Sequence, residues 1–241
     1  MKVIHKKGYY SSNQLPQING CRHGFTARIH GNMRNNRVKS RFLDKVCGLS
    51  VTSFYCSQDH SADIKILTDS VKPRQASCDG LAYRYIDGFR PVLNVLTADC
   101  IGIILVEPYL KIAAVIHAGW LGTVKKIALN AVMVCMELGA KPGKLLAAFS
   151  PYIGRCCYTV SESRALEFVA AFSTDKYINR TKSQIFLDLG AVNRDLLVSS
   201  GLRPEHIDYQ LLCTSCRNNE FFSYRKDNQT ARMMSFVTFL N

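Results

Sequence analysis

The 241-residue sequence predicts an α/β fold of the α+β type, in which mixed β-sheets are flanked by helices. Short apolar segments rich in β-branched residues are typical of buried strands, and longer segments with apolar residues at helical spacing are typical of amphipathic helices. The connections between these segments include both hairpin-like loops and helical crossovers. This mixture indicates a mixed sheet with helices packed on it rather than a pure βαβ barrel.

The clearest ordered block lies between residues 91 and 139. Strands are predicted at residues 92–96, 101–106 and 111–116, and the polar motif TADC at 97–100 separates the first two. His117 ends the third strand, and a glycine-containing turn leads into a helix over residues 124–138 with Gly139 as its C-cap.

The second half of the chain continues the alternation of strands and helices. Ser161 is a predicted helix N-cap, and Gly201 is predicted to end a later helix. The N-terminal third is rich in Gly, Asn and Arg and is predicted to be irregular, especially over residues 28–41. We find no repeat or linker, so a single domain over residues 1–241 is expected. The remaining predictions are a strand at 145–149, a loop at 150–158, a strand at 185–189, a helix at 191–199, and strands at 209–212, 220–224 and 233–240.

The formal net charge is +13, from 31 Lys and Arg against 18 Asp and Glu. Residues 1–90 carry 15 basic and 6 acidic residues, a net charge of +9. Such a field attracts anions, including phosphate esters, although the aromatic-rich basic modules typical of nucleic-acid binding are missing and that partner is not expected. Neither a signal peptide nor a membrane-spanning segment is predicted from the sequence, so a cytoplasmic protein with reduced thiols is expected.

Cys100 and His117 stand at the ends of predicted neighbouring strands, where functional sites are often built. This placement allows two interpretations. Cys100 is a nucleophile activated by His117, or both residues bind a metal such as zinc, with His60 as a third ligand. A buried structural thiol and a core histidine are the alternative to both.

Two further features could bind an anion. The turn that contains Gly119 and Gly122 opens a helix, whose free N–H groups suit phosphate, although the glycines could serve only a tight turn. Arg225 follows an amphipathic segment and is either an anion clamp or a surface residue.

The motif CTSC at residues 213–216 is a single CxxC. Together with Cys156 and Cys157 it could form a four-cysteine zinc site or a redox pair. Adjacent cysteines are poorly placed to chelate one ion, so buried or idle thiols are expected instead.

Several motifs resemble those of the YfiH/YlmD family, also called the laccase-domain or multicopper polyphenol oxidase family. The resemblance extends from HGFTAR at residues 23–28 to ARM at 231–233. Its central motifs are TADC at 97–100, HAGWLG at 117–122, SPYIGRCCY at 150–158, CT at 213–214 and FFSYR at 221–225.

The resemblance implies a mixed α/β fold like that of a cytotoxic necrotizing factor catalytic domain. It also implies a metal site made of His60, Cys100 and His117, holding zinc or copper. The family has Gly where Ser61, Ser150 and Ala231 stand here, and its glycine-rich segment is shortened around residues 29–37. These departures concern substrate choice more than the ligands.

The activity implied by the resemblance is phosphorolysis of adenosine, inosine, guanosine and methylthioadenosine, together with adenosine deamination. Zinc-activated water suits deamination, with Asp99 as general base or as a partner of the metal ligands. Phosphate could be held at the helix start that contains Gly119 and Gly122, and by Arg41 or Arg225. A monomer or a homodimer acting on purine nucleosides and phosphate is expected.

Three alternatives stay open at this point. The first is a metal-free Cys–His hydrolase or amidase acting on peptidoglycan-type fragments, and the second is a non-enzymatic binding protein. The third is the polyphenol oxidase of older family descriptions. A laccase needs a three-copper cluster rich in histidine, and the four histidines that remain besides His60 and His117 are scattered along the chain. The sequence therefore disfavours the laccase reaction.

Overall fold

The computed structural model describes residues 4–6, 8–15, 20–49, 51–69, 72–75 and 77–240. The segment 1–7, in which no signal peptide is predicted, lies mostly outside these residues. None of the described helices is both long and apolar enough to cross a membrane.

Strands and helices alternate along the described chain. The helices are α1 (Asn36–Cys47), α2 (Trp120–Val124), α3 (Ile127–Glu137), α4 (Glu162–Phe172), α5 (Leu189–Ser199) and α6 (Tyr224–Asp227). The strands are β1 (Ile4–Lys6), β2 (Tyr9–Ser11), β3 (Cys21–Phe25), β4 (Thr52–Cys56), β5 (Ile64–Ile66), β6 (Arg74–Gln75), β7 (Gly80–Arg84), β8 (Pro91–Thr97), β9 (Ile101–Glu107), β10 (Ile112–Ala118), β11 (Leu146–Phe149), β12 (Thr159–Val160), β13 (Ile178–Arg180), β14 (Ile185–Leu187), β15 (Ile207–Asp208) and β16 (Met233–Phe239).

The strands form three sheets, and two of them are large. Sheet 1 has the order β1-β2-β3-β16-β8-β4-β6, and sheet 2 has the order β15-β11-β9-β10-β7-β5. Sheet 3 is small and has the order β12-β14-β13. Both large sheets contain parallel and antiparallel pairs, because β4 runs parallel to β8 whereas β9 and β10 form an antiparallel hairpin. The predicted mixed α/β fold is therefore confirmed.

The two large sheets pack face to face, and helices cover their outer faces. Leu93 and Val237 of sheet 1 share a core cluster with Ile104 and Val115 of sheet 2. The opposite face of sheet 2 packs on α3 and α5, and the opposite face of sheet 1 packs on α1. Because both faces of these strands are buried, their sequences are continuously apolar, as strands of a doubly covered sheet are.

The three predicted strands of the central block are confirmed as β8, β9 and β10, and the predicted strand 233–240 is confirmed as β16. The predicted irregular segment 28–41 is wrong in its second half. Helix α1 begins there, and the Asn35 side chain caps it by accepting hydrogen bonds from the backbone N–H groups of Arg37 and Val38. Its apolar side packs on sheet 1 through Leu43 and Cys47. The many arginines of this segment concealed its helical spacing.

Other boundaries also differ from the prediction. Neither of the segments 209–212 and 220–224 is a strand. In the first, Leu211 is exposed, and in the second, Ser223 caps the short helix α6. The predicted helix 124–138 is interrupted at Lys126, whose φ of 61° lies in the left-handed region, so that α2 and α3 are separate. Strand β14 ends at Leu187, and Leu189 already begins α5.

Candidate metal centre

His60, Cys100 and His117 come from three segments and meet at one end of the two sheets. Cys100 lies in the turn between β8 and β9, and pairing of β9 with β10 places Ile101 opposite Ala118, next to His117. His60 comes from the loop after β4. The potential ligand atoms of the three side chains all lie within 4.8 Å of one another, and the rings of His60 and His117 are 4.9 Å apart. The sequence predicted this meeting of strand ends.

A buried carboxylate that sequence reasoning missed fixes the orientation of His117. The Nδ1 atom of His117 lies 2.6 Å from Oδ1 of Asp79, whose side chain is fully buried. With a proton on Nδ1, the Nε2 atom is left as the free ligand or base. Carboxylate–histidine pairs of this kind support metal-binding histidines in proteins.

The same carboxylate also holds the turn that carries His60. Oδ2 of Asp79 accepts hydrogen bonds from the backbone N–H groups of Asp59 at 3.1 Å and Ser61 at 2.8 Å. His60 itself has a φ of 63°, in the left-handed region that most side chains avoid. Asp79 therefore stabilises a strained backbone at one ligand while it orients another, which is typical of functional sites.

Asp99 holds the turn that carries Cys100, as Asp79 holds the turn that carries His60. The φ of Asp99 is 84°, and its two carboxylate oxygens accept hydrogen bonds from the Thr214 hydroxyl and the Arg225 backbone N–H, each at 2.6 Å. Both oxygens are thus engaged by donors. This geometry favours a positioning role for Asp99 over the role of general base that the sequence left open.

Gly119 and Gly122 are required by close approach of the ligand segments. A Cβ at Gly119 would lie 2.9 Å from Cδ2 of His60 and 3.2 Å from Sγ of Cys100. A Cβ at Gly122 would lie 2.8 Å from the backbone oxygen of Ser61. Helix α2 has only five residues, so its start gives the proposed phosphate site little support.

Cys100 and His117 each shift the pKa of the other. Burial alone would raise the pKa of the Cys100 thiol, but the charge of His117 and the contacts with both histidines lower it to about 6. Burial alone would lower the pKa of His117, but Cys100 and Asp79 raise it to about 9. The pair therefore favours a thiolate, which is the form that binds metals and attacks electrophiles.

The three side chains line a cleft of about 1140 Å³ that is rich in basic and aromatic groups. Four of its cations lie over aromatic rings: Lys39 over Tyr55, Arg164 over Trp120, Arg225 over Tyr158 and Arg232 over Tyr224. Arg34 and Arg74 also line the cleft.

The outcomes for the two arginines chosen from the sequence differ. Arg225 reaches the cleft, where its guanidinium donates to the backbone oxygen and hydroxyl of Thr159 at 3.0 and 2.8 Å. Arg41 is exposed on α1 and does not line the cleft. Lys39 faces inward, and a residue two positions further along a helix is turned by about 200°.

Sequence reasoning also missed Arg232, which combines burial with an unfavourable neighbour. Burial, and then the charge of Arg34, lower the pKa of its guanidinium. Arg34 is exposed and Arg232 is half-buried, and an anion bound near both would offset the repulsion between them. The segment ARM at 231–233 belonged to the motif matches, and the positive charge within it was the available signal.

The donor set fits a single metal ion. Two imidazoles and a thiolate suit zinc or copper, and three protein ligands with a side open to a cleft are typical of catalytic zinc. Here the atoms are close enough to share one ion, His117 has its supporting carboxylate, and His60 is exposed towards solvent.

Comparisons with known proteins agree with these features. Residues 20–240 match the family model described as multi-copper polyphenol oxidoreductase laccase. The chain is 34% identical over 193 residues to the purine nucleoside phosphorylase YlmD of Bacillus subtilis strain 168, a match that covers 76% of this chain and 69% of YlmD. It is 30% identical over 177 residues to the adenosine deaminase RL5 of an unknown prokaryotic organism, covering 70% of this chain and 68% of RL5.

The fold also matches solved structures. The crystal structure of YlmD from Geobacillus stearothermophilus has a TM-score of 0.85 to this chain at 26% sequence identity, with 97% of this chain and 99% of that chain covered. The family match over residues 20–240 includes all three segments that form the centre.

Proposed function

The chain belongs to the multi-copper polyphenol oxidoreductase laccase family, which includes the YfiH and YlmD proteins, and from this premise we propose that this enzyme is a purine nucleoside phosphorylase with adenosine deaminase activity. Its expected substrates are phosphate and the nucleosides adenosine, inosine, guanosine and methylthioadenosine. The non-enzymatic alternative loses its support, because the relatives reported above carry the names of enzymes.

One observation carries the proposal: the His–Cys–His centre lies in a cleft lined by basic and aromatic side chains. Aromatic faces suit the flat apolar rings of a purine, and guanidinium groups suit phosphate oxygens. A substrate pair of one planar base and one anion matches both kinds of lining.

In phosphorolysis the bond between C1′ of the ribose and the base breaks, and a phosphate oxygen forms the new bond to C1′. The base leaves with the electron pair and takes up a proton. The cations of the cleft would hold the phosphate against C1′, and Arg232 is the strongest candidate because a bound anion would offset its repulsion by the charge of Arg34.

Deamination would use the other part of the site. His60, Cys100 and His117 would hold a zinc ion, which supplies a Lewis acid that activates water at neutral pH. Asp79 occupies Nδ1 of His117, so that Nε2 would be the atom that binds the ion, and Asp99 holds the turn of Cys100. Both carboxylates thus act by positioning.

The direct test incubates the purified protein with inosine or adenosine, with and without phosphate, and separates the products by chromatography. We expect hypoxanthine from inosine and adenine from adenosine only when phosphate is present, and inosine from adenosine in both cases. A folded, zinc-loaded protein that forms none of these products would contradict the proposal.

The phosphate contact can be tested separately with a matched pair of variants. Arg232→Gln is expected to raise the KM for phosphate about ten- to hundredfold, since a charge-assisted hydrogen bond contributes about 1.5–3 kcal/mol, while the KM for inosine changes little. Arg41→Gln removes the same charge from an exposed position outside the cleft and is the control. Equal effects of the two variants on the KM for phosphate would exclude a specific contact at Arg232.

One observation favours a second candidate. The lowered pKa of Cys100, beside a histidine that Asp79 orients, is also the arrangement of a Cys–His hydrolase or amidase. That enzyme would be rapidly alkylated at Cys100 by iodoacetamide and would turn over a peptidoglycan-type amide in the presence of a chelator. Loss of nucleoside turnover on chelation would favour the phosphorylase and deaminase.

The donor count also bears on the family's older description. Among the described side chains, two groups of potential ligands are close enough to share an ion, and one of them contains no histidine. A three-copper cluster rich in histidine therefore finds no ligands in that part of the chain, and we propose zinc rather than copper at the centre. A reducing cytoplasmic location fits the ten free thiols, and we expect a monomer or a homodimer.

A further inference from the structure

A second cluster of potential metal ligands lies where two loops run side by side. Cys156 and Cys157 belong to the loop between β11 and β12, and Cys213 and Cys216 belong to the turn that precedes α6. A short parallel bridge between Tyr152 and Cys213 aligns the loops. The backbone N–H of Tyr152 donates to the Leu212 oxygen, and that of Thr214 donates to the Tyr152 oxygen. The backbone therefore holds the four thiols near one another.

The spacing of the four sulfur atoms suits a tetrahedral ion. Sγ of Cys216 lies 3.6 Å from Sγ of Cys156 and 3.4 Å from Sγ of Cys157, and all four sulfurs lie within 4.8 Å of one another. Four sulfurs at a zinc–sulfur distance of about 2.3 Å would be separated by about 3.8 Å. The observed separations are close to that value.

The backbone removes the objection that adjacent cysteines cannot share an ion. The N–H groups of Cys157 and Tyr158 both donate to the backbone oxygen of Gly154, at 2.9 and 3.0 Å, so the chain turns sharply there. The turn brings both Cys156 and Cys157 within 3.6 Å of Cys216. The expectation of idle thiols, drawn from the sequence, rested on the adjacency of Cys156 and Cys157 and did not include this turn.

The surroundings of Cys213 suit a thiolate. Its side chain is buried, and the backbone N–H of Gly154 lies 3.3 Å from its sulfur in donor geometry. Cys156 and Cys216 are exposed, so an ion can enter from solvent.

From these contacts we propose that Cys156, Cys157, Cys213 and Cys216 bind a structural zinc ion, distinct from the centre in the cleft. On binding, each thiol releases its proton to solvent and each thiolate donates an electron pair to Zn²⁺, with no oxidation or reduction. All four coordination positions are then filled by protein sulfur, which is the arrangement of structural zinc sites.

The position of the cluster indicates what the ion would stabilise. The first loop contributes Ile153 and Tyr158 to the cleft, and Thr214 in the second loop donates to Asp99, which holds the turn of Cys100. An ion that joins the two loops would fix the border of the cleft and one support of the first metal centre.

The test measures zinc in the full-length protein, purified with a thiol reductant and then dialysed after addition of Zn²⁺. We expect two zinc ions per chain in the original protein, one in Cys216→Ser, one in Cys100→Ala and none in the double variant. Cys47→Ala, which removes a thiol in α1, should keep two. Cys157→Ser is a second substitution in the same cluster, and both Ser variants should show a lower Tm than the original protein.

Cobalt separates the two sites by their donors. With Co²⁺ in Cys100→Ala, we expect the intense sulfur-to-metal charge-transfer absorption of a tetrathiolate, and we expect Cys216→Ser added to that variant to abolish it. A single zinc per chain that disappears in Cys100→Ala and persists in Cys216→Ser would overturn the proposal. Two zinc ions in folded Cys216→Ser would overturn it as well.

Discussion

The two ligand clusters differ in how the chain supports them. In the cleft, His60, Cys100 and His117 come from three segments. The buried carboxylates of Asp79 and Asp99 hold this arrangement through hydrogen bonds. In the cysteine cluster, the four ligands come from two aligned loops, and a backbone N–H faces the buried sulfur. The centre in the cleft is open to solvent on one side, whereas the cysteine cluster could surround one ion with four sulfurs. An open centre needs its geometry imposed by the protein, and a closed one is shaped largely by its ion.

Backbone strain follows the same division. His60 is one proposed ligand of the cleft centre, and Asp99 directly precedes another; both have left-handed φ values. The four clustered cysteines are absent from the described residues with positive φ. Each strained residue is about 1–3 kcal/mol less favourable than an ordinary one and persists only where its surroundings fix it. Of the two clusters, only the one in the cleft therefore has left-handed backbone in the turns that carry its candidate ligands.

The largest expected difference between the clusters concerns catalysis. Cys100→Ala should lower kcat/KM for inosine and adenosine by about a thousandfold, equivalent to about 4 kcal/mol, because it removes a ligand from the reacting centre. Cys216→Ser should have a much smaller effect on kcat/KM at 25 °C, no more than about tenfold, because the cysteine cluster acts on the cleft only indirectly, through the loops that carry Tyr158 and Thr214. Steady-state assays on both variants, with circular dichroism to confirm folding, provide the measurement. Full activity in Cys100→Ala would remove the distinction.

Asp79 provides the next largest effect. Asp79→Asn keeps the shape of the side chain but weakens its hold on His117 and on the turn of His60, so zinc affinity and kcat/KM should fall about 10- to 100-fold. Zinc content at the cysteine cluster should stay unchanged, which makes the cobalt tetrathiolate spectrum the internal control. A parallel loss at both clusters would mean that the variant is globally destabilised.

The sequence predicted the ligands of the cleft centre more fully than their supports. Cys100 and His117 stood out because polar residues interrupt apolar strands, and strand pairing then brings their ends together. Asp79 lies 38 residues before His117, directly ahead of a different strand, and no spacing rule relates the two. Sequence patterns report local periodicity, whereas a supporting carboxylate is defined by packing across the sheet.

The same limit explains the basic cleft and the cysteine cluster. The cations over aromatic rings come from α1, the start of α4, and the segment around α6, so their convergence depends on the tertiary fold. The cysteines were visible as residues, but the turn at Gly154 that directs two adjacent sulfurs to one point was not. The sheets were predictable because continuous apolar segments carry a strong local signal.

The smallest expected effects come from substituting the glycine beside each cluster, Gly119 in the cleft and Gly154 at the cysteines. A Cβ at Gly119 would press on His60 and Cys100, at 2.9 and 3.2 Å, and its φ of −80° lets alanine adopt the backbone without strain. A Cβ at Gly154 would meet Leu211 at 2.8 Å and the Cys156 sulfur at 3.3 Å. The two variants therefore act through steric contact alone, each on a ligand sulfur.

The outcomes should differ because the neighbours differ in freedom to move. Gly119→Ala should lower kcat/KM about tenfold, since His60 and Cys100 are held by their turns and a displacement of a few tenths of an ångström misplaces the centre. Gly154→Ala should weaken zinc binding at the cysteine cluster by only about twofold, because Leu211 and Cys156 are exposed and can shift. Kinetics for the first and zinc competition with a chelator for the second measure the two effects. A larger effect at Gly154 than at Gly119 would show that the closed cluster, rather than the open centre, depends on exact support from the protein.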